Sequence, residues 1–150
     1  MNSDETIRAG LELTEKTRRY LPSADGARVM TQVILAEDEA QLRALIAEML
    51  ASKGVQVSQA ADGLEALKLL RANPGASLLL SDIVMPNMNG YELVEASLKM
   101  RPELKVLMMT AFPTDRPPPA ALKAREIRTL IKPFDPDRMC DLVVDMLARP

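Results

Sequence analysis

The chain of 150 residues has no histidine, no tryptophan and only one cysteine, Cys140. The lack of histidine excludes a histidine base, histidine-ligated zinc and a phosphohistidine carrier. A single cysteine excludes an internal disulfide and a cysteine-cluster metal site, which is typical of a reducing compartment. Aromatic residues make up only 3% of the sequence, so we expect a core of aliphatic side chains filled by some of the ten methionines and by Cys140.

A large charge of one sign and a long apolar run are also absent. Nineteen basic residues almost balance twenty-one acidic residues, which gives a formal net charge of −2. Such a chain has no electrostatic field that would hold nucleic acid or an acidic membrane. No apolar run approaches the roughly 18 residues of a membrane helix, and the first residues lack the features of a secretory signal. We therefore expect a cytoplasmic protein that binds neither nucleic acid nor membrane.

The first 28 residues differ in pattern from the rest of the chain. Charged and aliphatic residues alternate over 2–21, Pro22 ends the helix that this pattern predicts, and 23–27 have the composition of a linker. Residues 1–28 are thus expected to form a helical arm and linker. Two interpretations stay open: an arm without a role, or a helix that docks on a partner or on a second copy of the chain.

From residue 29 to residue 150 the sequence predicts a single α/β domain. Short aliphatic runs alternate with amphipathic stretches, and runs that are apolar throughout indicate strands buried on both faces of a parallel sheet. The predicted strands are 33–36, 55–60, 77–81, 105–109 and 129–131. Predicted helices include one closed by Lys53 and Gly54, one over 63–73 carrying Leu64, Leu67 and Leu70, one over 91–100, and one over 136–147. We expect a doubly wound, five-stranded parallel sheet in the order 2-1-3-4-5.

Polar residues follow four of these strands. In a doubly wound sheet, chemistry takes place beyond the carboxyl ends of the strands. The residues at those ends are Glu37 and Asp38 after strand one, Asp82 after strand three, Thr110 after strand four and Lys132 after strand five. The predicted strand order brings these side chains to one pocket.

The composition of that pocket predicts its chemistry. Three crowded carboxylates are costly unless a cation joins them, and an all-oxygen ligand set suits Mg²⁺. A divalent ion beside a lysine favours a phosphoryl group, and a carboxylate in this setting can be its acceptor. Thr110 and Lys132 would then hold phosphoryl oxygens that the metal does not.

Four segments resemble the receiver domain of two-component response regulators. They are VILAEDE at 33–39, SDIVMPNMNG at 81–90, MTA at 109–111 and IKPF at 131–134. The resemblance covers about 31–148 and implies a flavodoxin-like receiver fold. It also implies that Asp82 is the phosphoacceptor, and that Asp38 and Glu37 hold Mg²⁺ together with the main-chain carbonyl of Val84. Thr110 and Lys132 would contact the phosphoryl group, and the Lys132–Pro133 peptide would be cis.

Three positions depart from the usual pattern of this family. Thr129 stands three residues before Lys132, where family members usually have tyrosine or phenylalanine, so the ring that moves on activation is absent or displaced. Arg125 occupies a position that is normally glycine. The run 116–119 places three prolines where the fourth helix should continue. Because proline removes helix donors, we expect at most a short helix from Pro119, at its first position, to about residue 126.

The resemblance implies a signalling module that receives a phosphoryl group from a histidine kinase or phosphotransfer protein. Its output would be contact with a downstream protein, since we expect no attached output domain, and a homodimer through the arm or the last helix stays open. One alternative is a pseudo-receiver that acts without phosphorylation. Another is a phosphohydrolase that forms an aspartyl-phosphate with an outside substrate, but haloacid-dehalogenase-like enzymes carry a second aspartate two residues after the nucleophile, where this chain has Val84. We therefore expect no enzymatic activity beyond self-phosphotransfer and autodephosphorylation.

Overall fold

The computed structural model describes residues 31–111, 118–125 and 127–149. The strands are β1 (Val33–Ala36), β2 (Val57–Ala60), β3 (Leu78–Asp82), β4 (Lys105–Thr110) and β5 (Arg128–Ile131). The helices are α1 (Ala40–Ser52), α2 (Gly63–Ala72), α3 (Gly90–Met100), α4 (Ala120–Lys123) and α5 (Pro136–Ala148). The predicted arm lies outside the described residues. Within them, the predicted ends of β1 match the observed ones, and the other predicted element ends differ from the observed ones by at most three residues.

The strands form one parallel sheet in the order β2-β1-β3-β4-β5, which confirms the predicted topology. Strand β1 pairs with β2 and with β3, so that Ala36 lies opposite both Ala60 and Ser81. Every residue of β1 and of β3 is buried, as expected for central strands with helices on both faces. This arrangement places the carboxyl ends of β1, β3 and β4 next to one another.

Side-chain caps begin three of the helices at defined residues. Asp62 accepts a hydrogen bond from the Glu65 amide at the start of α2, and Asp135 accepts one from the Asp137 amide at the start of α5. Asn89 and Glu92 form a reciprocal capping box at the start of α3. All three caps lie in loops that follow a strand, on the carboxyl side of the sheet, and fix the direction in which α2, α3 and α5 leave it.

The core has one layer on each face of the sheet. Helices α2 and α3 cover one face, where Leu67, Leu79 and Val94 are buried. On the other face, α1 and α5 bury Leu50, Leu80 and Cys140 among others, which confirms that Cys140 is part of the core. Leu64 was expected on the buried side of α2, but it is 46% exposed because it lies at the second residue of the helix, beside solvent.

Helix α4 is short, as the prolines predict, and comprises four residues, Ala120–Lys123. Pro119 was expected at its first position, but it lies at the N-cap with ψ of 151°, because an extended residue before the first turn suits proline equally well. Leu122 is the buried residue of α4. Strand β5, next to it, is largely exposed along its length.

Within the described part of the chain, none of the helices has the length and apolar character required to cross a bilayer.

Candidate functional site

Three carboxylates meet at the carboxyl ends of β1 and β3. Glu37 and Asp38 follow β1, and Asp82 is the last residue of β3. One oxygen of each carboxylate lies within 4.8 Å of an oxygen of the other two. Glu37 is fully buried and Asp82 is nearly so, whereas Asp38 is exposed. The acidic cluster therefore has two buried carboxylates and one that faces solvent.

Lys132 supplies a cation to this cluster. Its ammonium donates hydrogen bonds to Glu37 Oε1 at 2.7 Å and to Asp82 Oδ2 at 2.8 Å. Lys132 immediately follows β5, and its main-chain amide donates to the Thr110 carbonyl at 2.8 Å. This hydrogen bond continues the pairing of β4 and β5, so the lysine side chain begins from a fixed position and extends toward β3 and β1.

Thr110 ends β4 and is buried beside the acidic cluster. Its strand pairs with β3 so that Met109 lies opposite Asp82. The peptide bond that follows Lys132, between Lys132 and Pro133, is cis, which confirms the expectation from the sequence. The structure thus brings Glu37, Asp38, Asp82, Thr110 and Lys132 to one edge of the sheet.

Burial and charge act in opposite directions on the pKa values of Glu37, which is buried, and of Lys132, which is partly buried. Burial raises the pKa of Glu37, and the hydrogen bond from Lys132 opposes that rise without cancelling it. For Lys132, burial works to lower the pKa, but the hydrogen bonds to Asp82 and Glu37 outweigh it and raise the pKa above its usual value. Lys132 is therefore a firmly protonated cation that compensates charge on Glu37 and Asp82.

The loop between β3 and α3 folds closely against Asp82. The Val84 amide donates to Asp82 Oδ1 at 3.3 Å, and the Gly90 amide donates to the Ile83 carbonyl at 2.7 Å. A Cβ atom at Gly90 would collide with the Asp82 carbonyl, so only glycine allows α3 to begin here. The Val84 main chain therefore lies next to the acidic cluster, where its carbonyl was expected to contribute.

One polar contact near this loop was not predicted from the sequence. Asn87 donates from its side-chain amide to Asp62 Oδ2 at 2.7 Å, which joins the β3–α3 loop to the start of α2. A signal was present in the sequence, because both residues are of types that favour caps and turns. Their pairing across 25 residues is set by the sheet and had no local signature.

The donor set fits a hard divalent cation. Its atoms are carboxylate oxygens, with main-chain carbonyls nearby, and the ligand set has no cysteine or histidine. Mg²⁺ prefers such oxygen ligands and retains several waters, which the exposed position of Asp38 allows. The residues present are thus suited to the metal that the sequence predicts.

Comparison with known proteins identifies the family. The model of the response regulator receiver domain matches residues 33–144. The receiver protein CpdR of Brucella abortus (strain 2308) is 35% identical over 105 residues, which cover 70% of this chain and 87% of CpdR. The chemotaxis protein CheY of Thermotoga maritima is 28% identical over 112 residues, covering 73% of this chain and 92% of CheY. The crystal structure of the receiver domain of the hybrid histidine kinase CckA has a TM-score of 0.65 at 27% identity, and the match covers 77% of this chain and 98% of that domain.

The chain belongs to the response regulator receiver domain family. It is a phosphoacceptor domain of two-component signal transduction, and the comparisons give no support to the pseudo-receiver alternative. Domains of this family are typically signalling modules that bind Mg²⁺ at an acidic pocket and interact with histidine kinases and phosphotransfer partners. The cluster of Glu37, Asp38 and Asp82 is the acidic pocket of this chain.

Proposed function

We propose that Asp82 is the residue that accepts the phosphoryl group. The observation that carries this proposal is the double hydrogen bond of Lys132 to Glu37 and Asp82. Glu37 also contacts the lysine and accepts a main-chain amide, that of Glu39, but Asp82 is the member of the cluster that is itself the last residue of a central strand. Its carboxylate contacts the lysine and accepts the Val84 amide. These contacts fix its carboxylate in place, which an acceptor of in-line transfer requires.

In the transfer step, an Asp82 carboxylate oxygen attacks the phosphorus of a phosphohistidine on the partner protein. A new O–P bond forms as the P–N bond breaks, and the departing imidazole keeps the electron pair and takes a proton from solvent. Lys132, already 2.8 Å from Asp82 Oδ2, is placed to bind an oxygen of the arriving group. The Thr110 hydroxyl at the end of β4 would bind another.

Asp38, Asp82 and the Val84 main-chain carbonyl would hold Mg²⁺ directly, and Glu37 would hold it through water. When bound, the ion supplies positive charge that stabilises the phosphoryl oxygens during transfer. Glu37 is buried and occupied by Lys132, whereas Asp38 faces solvent, which supports this division between the two acids.

The phosphoryl donor in this proposal is a histidine kinase or a phosphotransfer protein, and the output is contact with a downstream protein in the cytoplasm. Activity is limited to self-phosphotransfer and autodephosphorylation. The segment 1–28, as an arm separate from the domain 29–150, and the last helix are the two candidate surfaces for a homodimer.

The test is intact mass after incubation with acetyl phosphate and Mg²⁺. The natural chain should gain one phosphoryl group, and Asp82→Asn should gain none while keeping the unfolding midpoint within a few degrees. Asp141→Asn, which changes an exposed carboxylate on α5, is the matched control and should be labelled normally. Full labelling of Asp82→Asn would overturn the assignment.

A further inference from the structure

Asp62 joins two loops on the carboxyl side of the sheet. Its Oδ1 accepts the Glu65 amide at 2.8 Å and so caps α2. Its Oδ2 accepts the Asn87 side-chain amide at 2.7 Å. One carboxylate therefore fixes the start of α2 and, with its second oxygen, the middle of the β3–α3 loop.

The backbone of Asn87 has a left-handed conformation, which few residue types adopt. Its φ is 67°, and within the described ranges it is the non-glycine residue with positive φ. Asparagine tolerates the left-handed region better than most residues, but it still needs support from its surroundings. The hydrogen bond to Asp62 supplies that support and holds the loop in this conformation.

A second contact joins the same two loops beside the first. A Cβ atom at Gly63 would lie 2.6 Å from the Met88 carbonyl and 2.9 Å from the Met88 Cβ. Glycine at 63 therefore permits an approach that any other residue would block. The β3–α3 loop is thus pressed against the start of α2 at Met88 and hydrogen-bonded to it at Asn87.

The same loop carries the main chain that the acidic pocket needs. It begins directly after Asp82, its Val84 amide donates to Asp82 Oδ1, and it ends at the capping box of Asn89 and Glu92. Both ends are therefore anchored, and Asp62 anchors the middle. A shift at Asn87 would be transmitted over three residues to the Val84 carbonyl.

We propose that Asp62 and Asn87 are positioning residues that hold the β3–α3 loop so that the Val84 carbonyl is ready to bind Mg²⁺. This inference rests on the proposed function of the pocket. The hydrogen bond between Asp62 and Asn87 lies outside the pocket but would increase its affinity for Mg²⁺, because a ligand that is already in place loses less conformational entropy when it binds.

The charge on Asp62 is consistent with this role. The Glu65 amide and then the Asn87 amide lower the pKa of Asp62, so it is ionised, and a strong acceptor, at neutral pH. An ionised Asp62 would also attract a cation over a distance, and the test must separate that attraction from the hydrogen bond.

Three variants separate these effects. Asn87→Gly keeps the left-handed backbone and the net charge but removes the hydrogen bond. Asp62→Asn keeps an effective N-cap but removes the ionised acceptor, so the hydrogen bond to Asn87 is either lost or replaced by a weaker bond between two neutral amides. The double variant Asp62→Asn with Asn87→Asp reverses donor and acceptor, so it restores both the hydrogen bond and the natural net charge.

Mg²⁺ affinity measured by titration calorimetry is the readout, with thermal unfolding in EDTA to check the fold. We expect Asn87→Gly and Asp62→Asn to weaken binding about three- to tenfold, the range that the net contribution of one ordinary hydrogen bond supports. The double variant should recover most of that loss. Asn73→Gly, which removes a comparable side-chain hydrogen bond to the Leu69 carbonyl at the far end of α2, is the matched control and should bind Mg²⁺ normally.

Natural Mg²⁺ affinity in both single variants would overturn the proposal, and so would a double variant as weak as Asp62→Asn alone. Failure of the proposed function would look different. In that case Asp82→Asn would still gain the phosphoryl group, whatever the Mg²⁺ affinities of the Asp62 and Asn87 variants were.

Discussion

The pocket around Asp82 and the side of the domain formed by β5 and α4 differ in how firmly their residues are held. In the pocket, Lys132, the Val84 amide and the close approach of Gly90 fix the Asp82 carboxylate and main chain from several directions. On the other side, α4 has four residues and β5 is largely exposed, with Ile131 55% exposed.

One cavity is lined by residues of both regions. It has a volume of about 360 Å³, and its lining includes Thr110 as well as Leu122, Ile127 and Thr129. Thr129 is the position at which the resemblance to the receiver family implies an aromatic ring. The firmly held neighbours that the proposed phosphoryl transfer needs therefore lie at the carboxyl edge of the sheet, whereas the β5–α4 side is held by fewer contacts.

The largest expected difference between the two regions is in the cost of removing a buried leucine. Leu80→Ala should lower the free energy of unfolding by about 3–5 kcal/mol, because central strands on both sides prevent the space from closing. Leu122→Ala should lower the free energy of unfolding by about 2 kcal/mol or less, because α4 is short and Leu122 already lines a cavity. Urea unfolding of the two variants checks this, and equal losses would remove the distinction.

The second largest expected effect is the loss of the Lys132 ammonium from the pocket, which should slow phosphoryl transfer. Lys132→Met keeps an apolar stem of similar length but removes the ammonium, so labelling by acetyl phosphate should slow about a hundredfold. Lys53→Met, which changes an exposed lysine 3.8 Å from Asp141, is the control and should be labelled at the natural rate. A Lys132→Met rate within about twofold of natural would show that the lysine does not stabilise the transfer.

Within the pocket, the two acids after β1 should differ in their importance for the metal. Asp38→Asn should weaken Mg²⁺ binding more than about tenfold, and Glu37→Gln less, because the first is expected to bind directly and the second through water. Titration calorimetry at constant ionic strength measures both. Equal losses from the two changes, or no loss from either, would contradict this ranking.

The smallest expected effect concerns how the signal leaves the pocket. Beryllofluoride, a phosphoryl mimic, should change amide exchange mainly over 111–119, with little change in α5. Thr110 would move toward the added group, and Thr129 is too small to carry that movement into β5. The segment 112–117, including Phe112, lies outside the described residues, so this expectation comes from the sequence. Large changes in α5 with none over 111–119 would refute it.

Much of the fold was predictable because the central strands are continuous apolar runs. Such runs as 78–80, Leu-Leu-Leu, indicate burial on both faces and therefore a parallel sheet, from which the edge that holds the polar residues follows. The short α4 was predictable for a different reason, since the effect of proline on a helix is local.

What the sequence did not predict depends on contacts between distant elements. Leu64 has helical spacing to Leu67, yet only neighbouring elements decide that it faces solvent. Lys132 was expected in the pocket, but its bond to Glu37 as well as Asp82 follows from the depth of burial at the end of β1. The Asp62–Asn87 contact requires a left-handed backbone in one loop and a cap in another, and no local pattern encodes both.

The position of the Lys132 ammonium also bears on whether the domain needs a metal ion in order to fold. Two of the three acids in the pocket already share an internal cation, and the third faces water, so we expect the domain to fold without a metal ion. Removal of Mg²⁺ by a chelator should then leave the domain folded while labelling by acetyl phosphate stops. A sample kept intact but inactive in this way should regain labelling when Mg²⁺ is added back.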